Sequence, residues 1–196
     1  AELANTQTSP TVSSALNTTQ TQVQKIILLS QEIQSKNAQI RAFNANPVNN
    51  RKREFVAQTP QNQLERAIEQ LETDSRTYLT NAQNVLNDID NLKIARVQLI
   101  NIAKTDQTAA QIAIPTRAVT IPTTAINNYN LLLRSFSAVQ VAYNAVLDLD
   151  PDEETLSEVT KAFEKIKSGL KTIQDEQIAT IFADVTFLRS ELLNDR

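Results

Sequence analysis

A single glycine is present in this chain of 196 residues, and cysteine, histidine, methionine and tryptophan are absent. Glycine is the residue that lets a backbone adopt positive φ or approach a phosphate closely. Average usage would supply roughly a dozen glycines at this length. The scarcity excludes glycine loops that cradle phosphates, and it indicates long, uninterrupted helices whose turns are made by other residues.

The missing histidine and cysteine exclude most metal and nucleophile chemistry. Di-iron helical bundles use Glu-x-x-His motifs, zinc sites use cysteine or histidine, and nucleophile–base pairs commonly need one of the same two residues. Glu72 and Arg76, four residues apart, resemble an ordinary surface ion pair on a helix. Asp90 and Lys93, three apart, have the same character. The sequence therefore predicts that the protein is not an enzyme and holds no cofactor or metal.

One acidic run is the best candidate for an oxygen-only metal site. It contains three alternating aspartates: Asp148, Asp150 and Asp152. A calcium loop also needs glycine at its sixth position and glutamate at its twelfth, where this chain has Glu153 and Val159. We therefore expect the run to begin a helix instead, with Asp150 as the cap, proline at the first position and Glu153 completing a capping box.

The composition argues against a nucleic-acid partner and against a membrane span. The chain has 19 basic and 22 acidic residues, a net charge of −3, and a nucleic-acid binder is expected to carry a basic face. The one basic triplet, Arg51-Lys52-Arg53, is followed by Glu54 and is typical of a solvated loop. No run approaches the roughly 20 apolar residues of a membrane span. The predicted partner is therefore protein.

Two long apolar seams predict the first two helices. Ser-Pro at 9–10 and Thr-Pro at 59–60 place proline at the first helical position, where it is favoured. The first seam contains Leu16, Thr19, Val23, Ile26, Ser30, Ile33, Asn37 and Ile40, and would end ahead of Pro47. The second follows the strict four–three spacing of coiled coils through Leu64, Ile68, Leu71, Ser75, Tyr78, Ala82, Val85, Ile89, Leu92, Arg96, Leu99 and Ala103.

Two more stripes predict the later helices. The third helix would make its contacts through Ile126, Tyr129, Leu132, Leu133, Phe136, Val139, Tyr143, Val146 and Leu147. The fourth would use Leu156, Val159, Phe163, Ile166, Leu170 and Ile173, and then Ile178, Ile181, Val185, Leu188 and Leu192. The slip between these two groups resembles a stutter, where a coiled coil locally unwinds.

Together these patterns predict an all-α fold, an elongated antiparallel bundle of about four helices arranged as two long hairpins with coiled-coil-like packing. The helices are expected over about 10–45, 60–105, 123–149 and 151–194. They would form a single domain over 12–196 after a flexible polar tail at 1–11. Residues 106–123 contain two prolines, which disfavour a central strand, and would form a non-helical apolar crossover.

Several polar or small residues lie within the seams, and each allows two interpretations. Arg96 lies at a seam position, and it could be buried beside a carboxylate of a neighbouring helix and set the register, or it could extend its head to water. Ser30, Asn37 and Ser75 pose the same choice. Gly169, in mid-helix, could mark a bend or a close helix crossing, or it could be a tolerated glycine that costs about 1 kcal/mol relative to alanine.

The crossover segment carries the strongest indication of function, because structureless loops of this length are uncommon and often functional. Its apolar residues must be buried against something: Ile112, Ile114, Val119 and Ile121. They could cover the end of their own bundle as a strap. Alternatively, they could form an interaction arm that docks on a neighbouring subunit.

The leading functional hypothesis is a non-catalytic structural or assembly protein that self-associates or packs on partners as a homo-oligomer or larger assembly. The 36 asparagines and glutamines favour a virion component or an exported surface or filament protein over a cytosolic enzyme. One alternative is a secreted membrane-active protein, which resembles all-helical pore-forming toxins in architecture alone. Another is a helical adaptor that binds a partner helix in its groove.

Overall fold

The computed structural model describes residues 10–46, 60–105 and 120–194, and within them the chain forms five α-helices. They are α1 (Pro10–Ala45), α2 (Pro60–Thr105), α3 (Ala125–Leu147), α4 (Glu153–Gln174) and α5 (Ile178–Asn194). This described part of the chain contains no strand. The predicted all-α fold, a helical bundle, is confirmed.

Proline marks the start of the two longest helices. Pro10 opens α1 and Pro60 opens α2, because the fixed φ of proline suits the first helical turn and its missing N–H would have no helical partner there. The helix α3 begins after a turn in which Ala125 N donates to Pro122 O at 3.2 Å. Residues 1–9 of the predicted polar tail, with the capping residue Ser9, and the capping residue Thr59 lie outside the described residues, whereas residues 10–11 of that tail belong to α1.

The predicted single helix over 151–194 is wrong in one respect, because two helices, α4 and α5, occupy that range. Gln177 has a φ of 54°, which a right-handed helix does not accommodate. The turn is closed by hydrogen bonds from Glu176 N to Ile173 O and from Gln177 N to Gln174 O. The slip in the apolar stripe therefore marks a helix break and not a stutter.

The cap of α4 also differs from the prediction. Asp152, and not Asp150, caps the helix: its Oδ1 accepts a hydrogen bond of 2.9 Å from Thr155 N. Asp150 instead has a φ of 51° and ends the preceding turn, where its N–H donates to Leu147 O at 3.1 Å. That left-handed position is the one that glycine commonly fills after a helix. In the described residues, Asp150 and Gln177 fill it instead.

The helices are grouped into two compact units. The first unit comprises the described residues of 15–79 and 134–169, and the second comprises those of 80–133 and 170–196 together with 10–14. The helix α2 thus contributes residues 60–79 to the first unit and residues 80–105 to the second.

The core of the first unit is built from the predicted seams. Phe163 of α4 stacks on two aromatic rings of α3, Tyr143 with ring centroids 4.5 Å apart and Phe136 with centroids 5.9 Å apart. The other buried apolar side chains include Leu16, Val23, Ile26, Leu29, Ile68, Leu71, Tyr78, Val139, Val146, Val159 and Ile166. Leu156, expected at a contact, is 39% exposed, because it lies in the first turn of α4, outside the seam that begins at Val159.

The core of the second unit continues the α2 seam. Its buried apolar side chains include Ala82, Val85, Leu86, Ile89, Leu92, Ala95, Leu99, Ala125, Leu132, Leu170, Ile173, Ile178, Ile181 and Val185. Ile173 and Ile178 are both buried on either side of the α4–α5 turn, so the turn keeps the apolar stripe continuous across the break. Ala103, expected in the seam, is exposed near the end of α2.

Candidate functional site

A shallow apolar groove of about 520 Å³ lies between α2 and α3 in the first unit. From α2 it is lined by Ala67, Gln70 and Asp74, and from α3 by Ser137, Ala138, Val141, Ala142 and Ala145. Four of these eight residues are alanines, which are too short to fill the space between two helices. The groove therefore exists because Ala67 of α2 and three alanines of α3 leave space between the two helices.

Val141 projects at the edge of this groove and is 70% exposed. On the other wall, Gln70 Nε2 donates a hydrogen bond of 3.1 Å to Asp74 Oδ1, so that these two polar groups satisfy each other beside the alanines. Exposed apolar side chains are common when they stand alone. Val141 differs because it adjoins a concave apolar surface, and such surfaces mark interaction sites more often than isolated residues do.

A second concavity in the first unit, of about 270 Å³, is lined by residues of α1, α2 and the start of α4. Three of its polar groups have partners: Lys36 Nζ lies 3.1 Å from Glu32 Oε1, and Asn37 Nδ2 donates to Glu65 Oε2, outside the lining, at 2.9 Å. The hydrogen bond to Glu32 raises the pKa of Lys36. Because these groups already have partners, they do not define a site for a particular ligand.

Gly169 lies where α4 approaches α1 and α2 within the first unit. A Cβ atom at this position would lie 3.3 Å from Thr19 Oγ1 and 4.0 Å from the Tyr78 hydroxyl. The Thr19 hydroxyl is itself 2.8 Å from Ala15 O and 3.1 Å from Lys165 O. Both helices can therefore approach closely here only because residue 169 has no side chain, and α4 continues through it without interruption.

Tyr78 completes this junction from α2. Its hydroxyl donates a hydrogen bond of 3.3 Å to Ile166 O, and its side chain is almost fully buried. Burial raises the pKa of Tyr78, because the phenolate would lose its hydration. The junction thus contains two hydroxyl groups bound to carbonyls of α4 and no free nucleophile.

Arg96 is half-buried in the second unit, and its Nε has no hydrogen-bond partner within the described part of the chain. The buried cation of this region is instead its neighbour Lys93, whose Nζ lies 3.0 Å from Glu176 Oε2. The expectation that Lys93 is an ordinary surface residue was wrong, since it is 1% exposed. The sequence carried no signal for this, because Glu176 is remote in the chain.

The other three polar seam residues, for which the sequence left two alternatives open, are buried. Ser30, Asn37 and Ser75 are all 2% exposed or less. Ser30 Oγ accepts a hydrogen bond of 3.2 Å from Gln34 Nε2, whereas Ser75 Oγ has no partner in the described residues. A further polar contact that the sequence did not indicate joins α1 to α4, where Gln22 Nε2 donates to Glu158 Oε2 at 3.0 Å.

The predicted interaction arm falls mostly outside the described residues, which resume at residue 120. Ile112, Ile114 and Val119 therefore remain a prediction, as does the crossover itself. Ile121 is described and is half-buried. The α2–α3 groove was not predicted, although the alanines at 138, 142 and 145, spaced four and three apart, were a readable signal for it.

Over the residues described, no three histidine, cysteine, aspartate or glutamate side chains are grouped so that they could hold a metal ion. Among the same residues, no helix is both long enough and apolar enough to span a membrane. Comparison of the chain with protein-family models, with curated proteins and with solved structures returned no match. The groove beside Val141 is thus the surface that best defines a candidate site.

Proposed function

We propose that this is a non-catalytic assembly protein whose copies associate through the α2–α3 groove. The observation that carries the proposal is the position of Val141, an apolar side chain 70% exposed at the edge of a groove lined largely by alanine. A surface that carries both a projecting side chain and a recess can be complementary to itself. Self-complementarity is the requirement for a two-fold interface between identical chains.

Packing physics supports this use of the groove. Helices pack with their axes about 8–10 Å apart, and the distance depends on the side chains at the contact. Alanines at 67, 138, 142 and 145 permit an approach at the short end of that range. A third helix lying there would bury Val141 together with Ala67, Ala138 and Ala145, since Ala142 is already buried, and apolar burial is the main driving force of association.

The composition supports a structural role over a catalytic one. The chain has no cysteine or histidine, and the hydroxyl groups of Thr19 and Tyr78, both buried in the first unit, are bound to backbone carbonyls. The abundance of uncharged polar side chains leads us to propose a virion or exported surface or filament protein as the setting for this assembly.

The test is a measurement of molar mass against concentration by sedimentation equilibrium. We expect the mass of the wild-type chain to rise with concentration and that of Val141→Lys to stay at the monomer value. The matched control is Leu28→Lys, since Leu28 is 64% exposed in the same unit but does not line the groove. It should associate as the wild type does.

A wild-type chain that stays monomeric at millimolar concentration would overturn the proposal. Equal weakening by the Val141 and Leu28 substitutions would also count against it, because the groove would then have no special role. Binding of a helical peptide from another protein by a monomeric chain would favour an adaptor instead.

A further inference from the structure

We infer that two copies of this chain pair antiparallel along α3, with Val141 near the two-fold axis and Arg134 of each copy beside Asp148 of the other. The inference rests on the proposed self-association and adds its geometry. It follows from the charge pattern on the exposed face of α3 and the segment that follows it.

Arg134, Val141 and Asp148 are spaced by seven residues, which is close to two helical turns, so they lie along one face. All three are exposed. Arg134 and Asp148 lie at equal distances on either side of Val141, about 10 Å at 1.5 Å per residue. Neither forms an ion pair within the described part of the chain.

The signs of these charges select the orientation. In an antiparallel pair centred on residue 141, position 134 of one copy faces position 148 of the other, and this arrangement forms two Arg–Asp contacts related by symmetry. A parallel pair would place arginine against arginine and aspartate against aspartate, and like charges across an interface disfavour that arrangement. The charge pattern therefore points to a second, antiparallel copy as the occupant of the groove.

The residues between the charged positions fit the same register. An antiparallel pair brings Ser137 opposite Ala145, and Ala138 opposite Asn144. Apart from Asn144, these side chains are short, and Ser137, Ala138 and Ala145 line the groove. Large side chains at these positions would hold the two helices apart, whereas the ones present allow Val141 of each copy to reach the alanines of the other.

Exposed ion pairs contribute little to affinity on their own, so we expect the charges to act mainly on orientation and on discrimination against wrong pairings. Reversal of one charge should nevertheless be costly, because it places two like charges together twice in the dimer. We expect Arg134→Glu and Asp148→Arg each to weaken dimerisation at least about tenfold. The double variant Arg134→Glu/Asp148→Arg restores opposite signs and should regain wild-type affinity to within a few fold.

Disulfide trapping tests the orientation independently, since this chain has no cysteine. Two single-cysteine variants, Ser137→Cys and Ala145→Cys, are oxidised separately and as an equimolar mixture. The antiparallel pair should cross-link efficiently only in the mixture. Leu28→Cys, mixed with either variant, is the control for random collision, and circular dichroism checks that every variant keeps its helix content.

The outcomes separate the two proposals. If the chain dimerises but the double variant is no tighter than the single ones, or if each cysteine variant cross-links to itself, the antiparallel pairing is wrong and self-association stands. If the wild-type chain does not associate at any concentration, the proposed function fails and this inference fails with it.

Discussion

Lys93 of α2 is buried in the second unit, and its ammonium nitrogen lies 3.0 Å from a carboxylate oxygen of Glu176 in the turn after α4. The two side chains differ in exposure: that of Lys93 is 2% exposed and that of Glu176 is 15% exposed. The carboxylate is therefore in contact with water on one side, whereas the ammonium is not. Loss of one partner should consequently have a different effect from loss of the other.

We predict that Glu176→Gln destabilises the protein by about 2–3 kcal/mol, because the buried ammonium of Lys93 then loses the carboxylate that lies 3.0 Å from it. Lys93→Met should cost under about 1 kcal/mol, because methionine fills the volume of the lysine stem and Glu176 can still be hydrated. Urea denaturation of the two variants and the wild type measures both values. Equal losses in the two variants would contradict this asymmetry.

The contact between Gly169 and Thr19 leads to a coupled prediction. Alanine in place of a mid-helix glycine normally stabilises by about 1 kcal/mol, but here its Cβ would lie 3.3 Å from Thr19 Oγ1. That oxygen has little freedom to move, because two carbonyls lie within hydrogen-bond distance of it. We expect Gly169→Ala to destabilise the wild type by about 1 kcal/mol.

The same substitution in a Thr19→Ala background should instead stabilise by up to about 1 kcal/mol, because the obstructing hydroxyl is gone and only the helix propensity remains. Thermal or urea unfolding of the wild type, the two single variants and the double variant therefore measures the coupling between the two positions. Gly169→Ala should change stability with opposite signs in the two backgrounds. Additive contributions, with the same change in both backgrounds, would show that the close approach has no energetic consequence.

Much of the helical framework could be predicted from sequence, because its signals are local. Pro10 and Pro60 begin α1 and α2 as expected, since the preference of proline for the first helical position does not depend on the rest of the fold. The apolar seams were equally informative, because heptad spacing places those side chains on one face wherever the helix packs. Ile68, Ile89 and Leu92 in α2 are fully buried accordingly.

The errors arose where a distant or unusual contact decides the conformation. The break after α4 depends on Gln177 in a left-handed conformation, which glutamine rarely adopts. The burial of Lys93 depends on Glu176, a residue 83 positions away in the chain. The groove beside Val141 exists because the side chains of α2 and α3 leave space between the two helices. The apolar periodicity of one helix does not show which side chains the neighbouring helix places opposite it.

The left-handed residues Asp150 and Gln177 provide a third prediction. A non-glycine residue in this conformation destabilises the fold by about 1–2 kcal/mol. Substitution by glycine removes this strain, but part of the gain in stability is cancelled because glycine loses more conformational entropy on folding. We expect Asp150→Gly and Gln177→Gly each to raise the free energy of unfolding by about 0.5–1 kcal/mol. Asp175→Gly is the control, because Asp175 lies in the same turn as Gln177 without positive φ; it should lower stability.

Asp152 gives the protein a defined dependence on pH. Hydrogen bonds from Thr155 hold the pKa of this carboxyl below its usual value of 3.8, and the nearby Lys36 lowers it further. Since the folded pKa is depressed, the stabilisation is fully present above the unfolded pKa and is lost as the pH falls through the folded pKa. We expect Asp152→Ala to cost about 1 kcal/mol at pH 7. The gap between this variant and the wild type should narrow as the pH falls from 5 to 2.

Asparagine caps a helix as well as aspartate does but carries no charge, so Asp152→Asn should stay near wild-type stability at pH 7 and should lack the wild type's additional loss in acid. Urea denaturation at several pH values measures this difference directly. An unchanged gap between the wild type and Asp152→Ala from pH 5 to 2 would mean that the charge of the cap does not contribute.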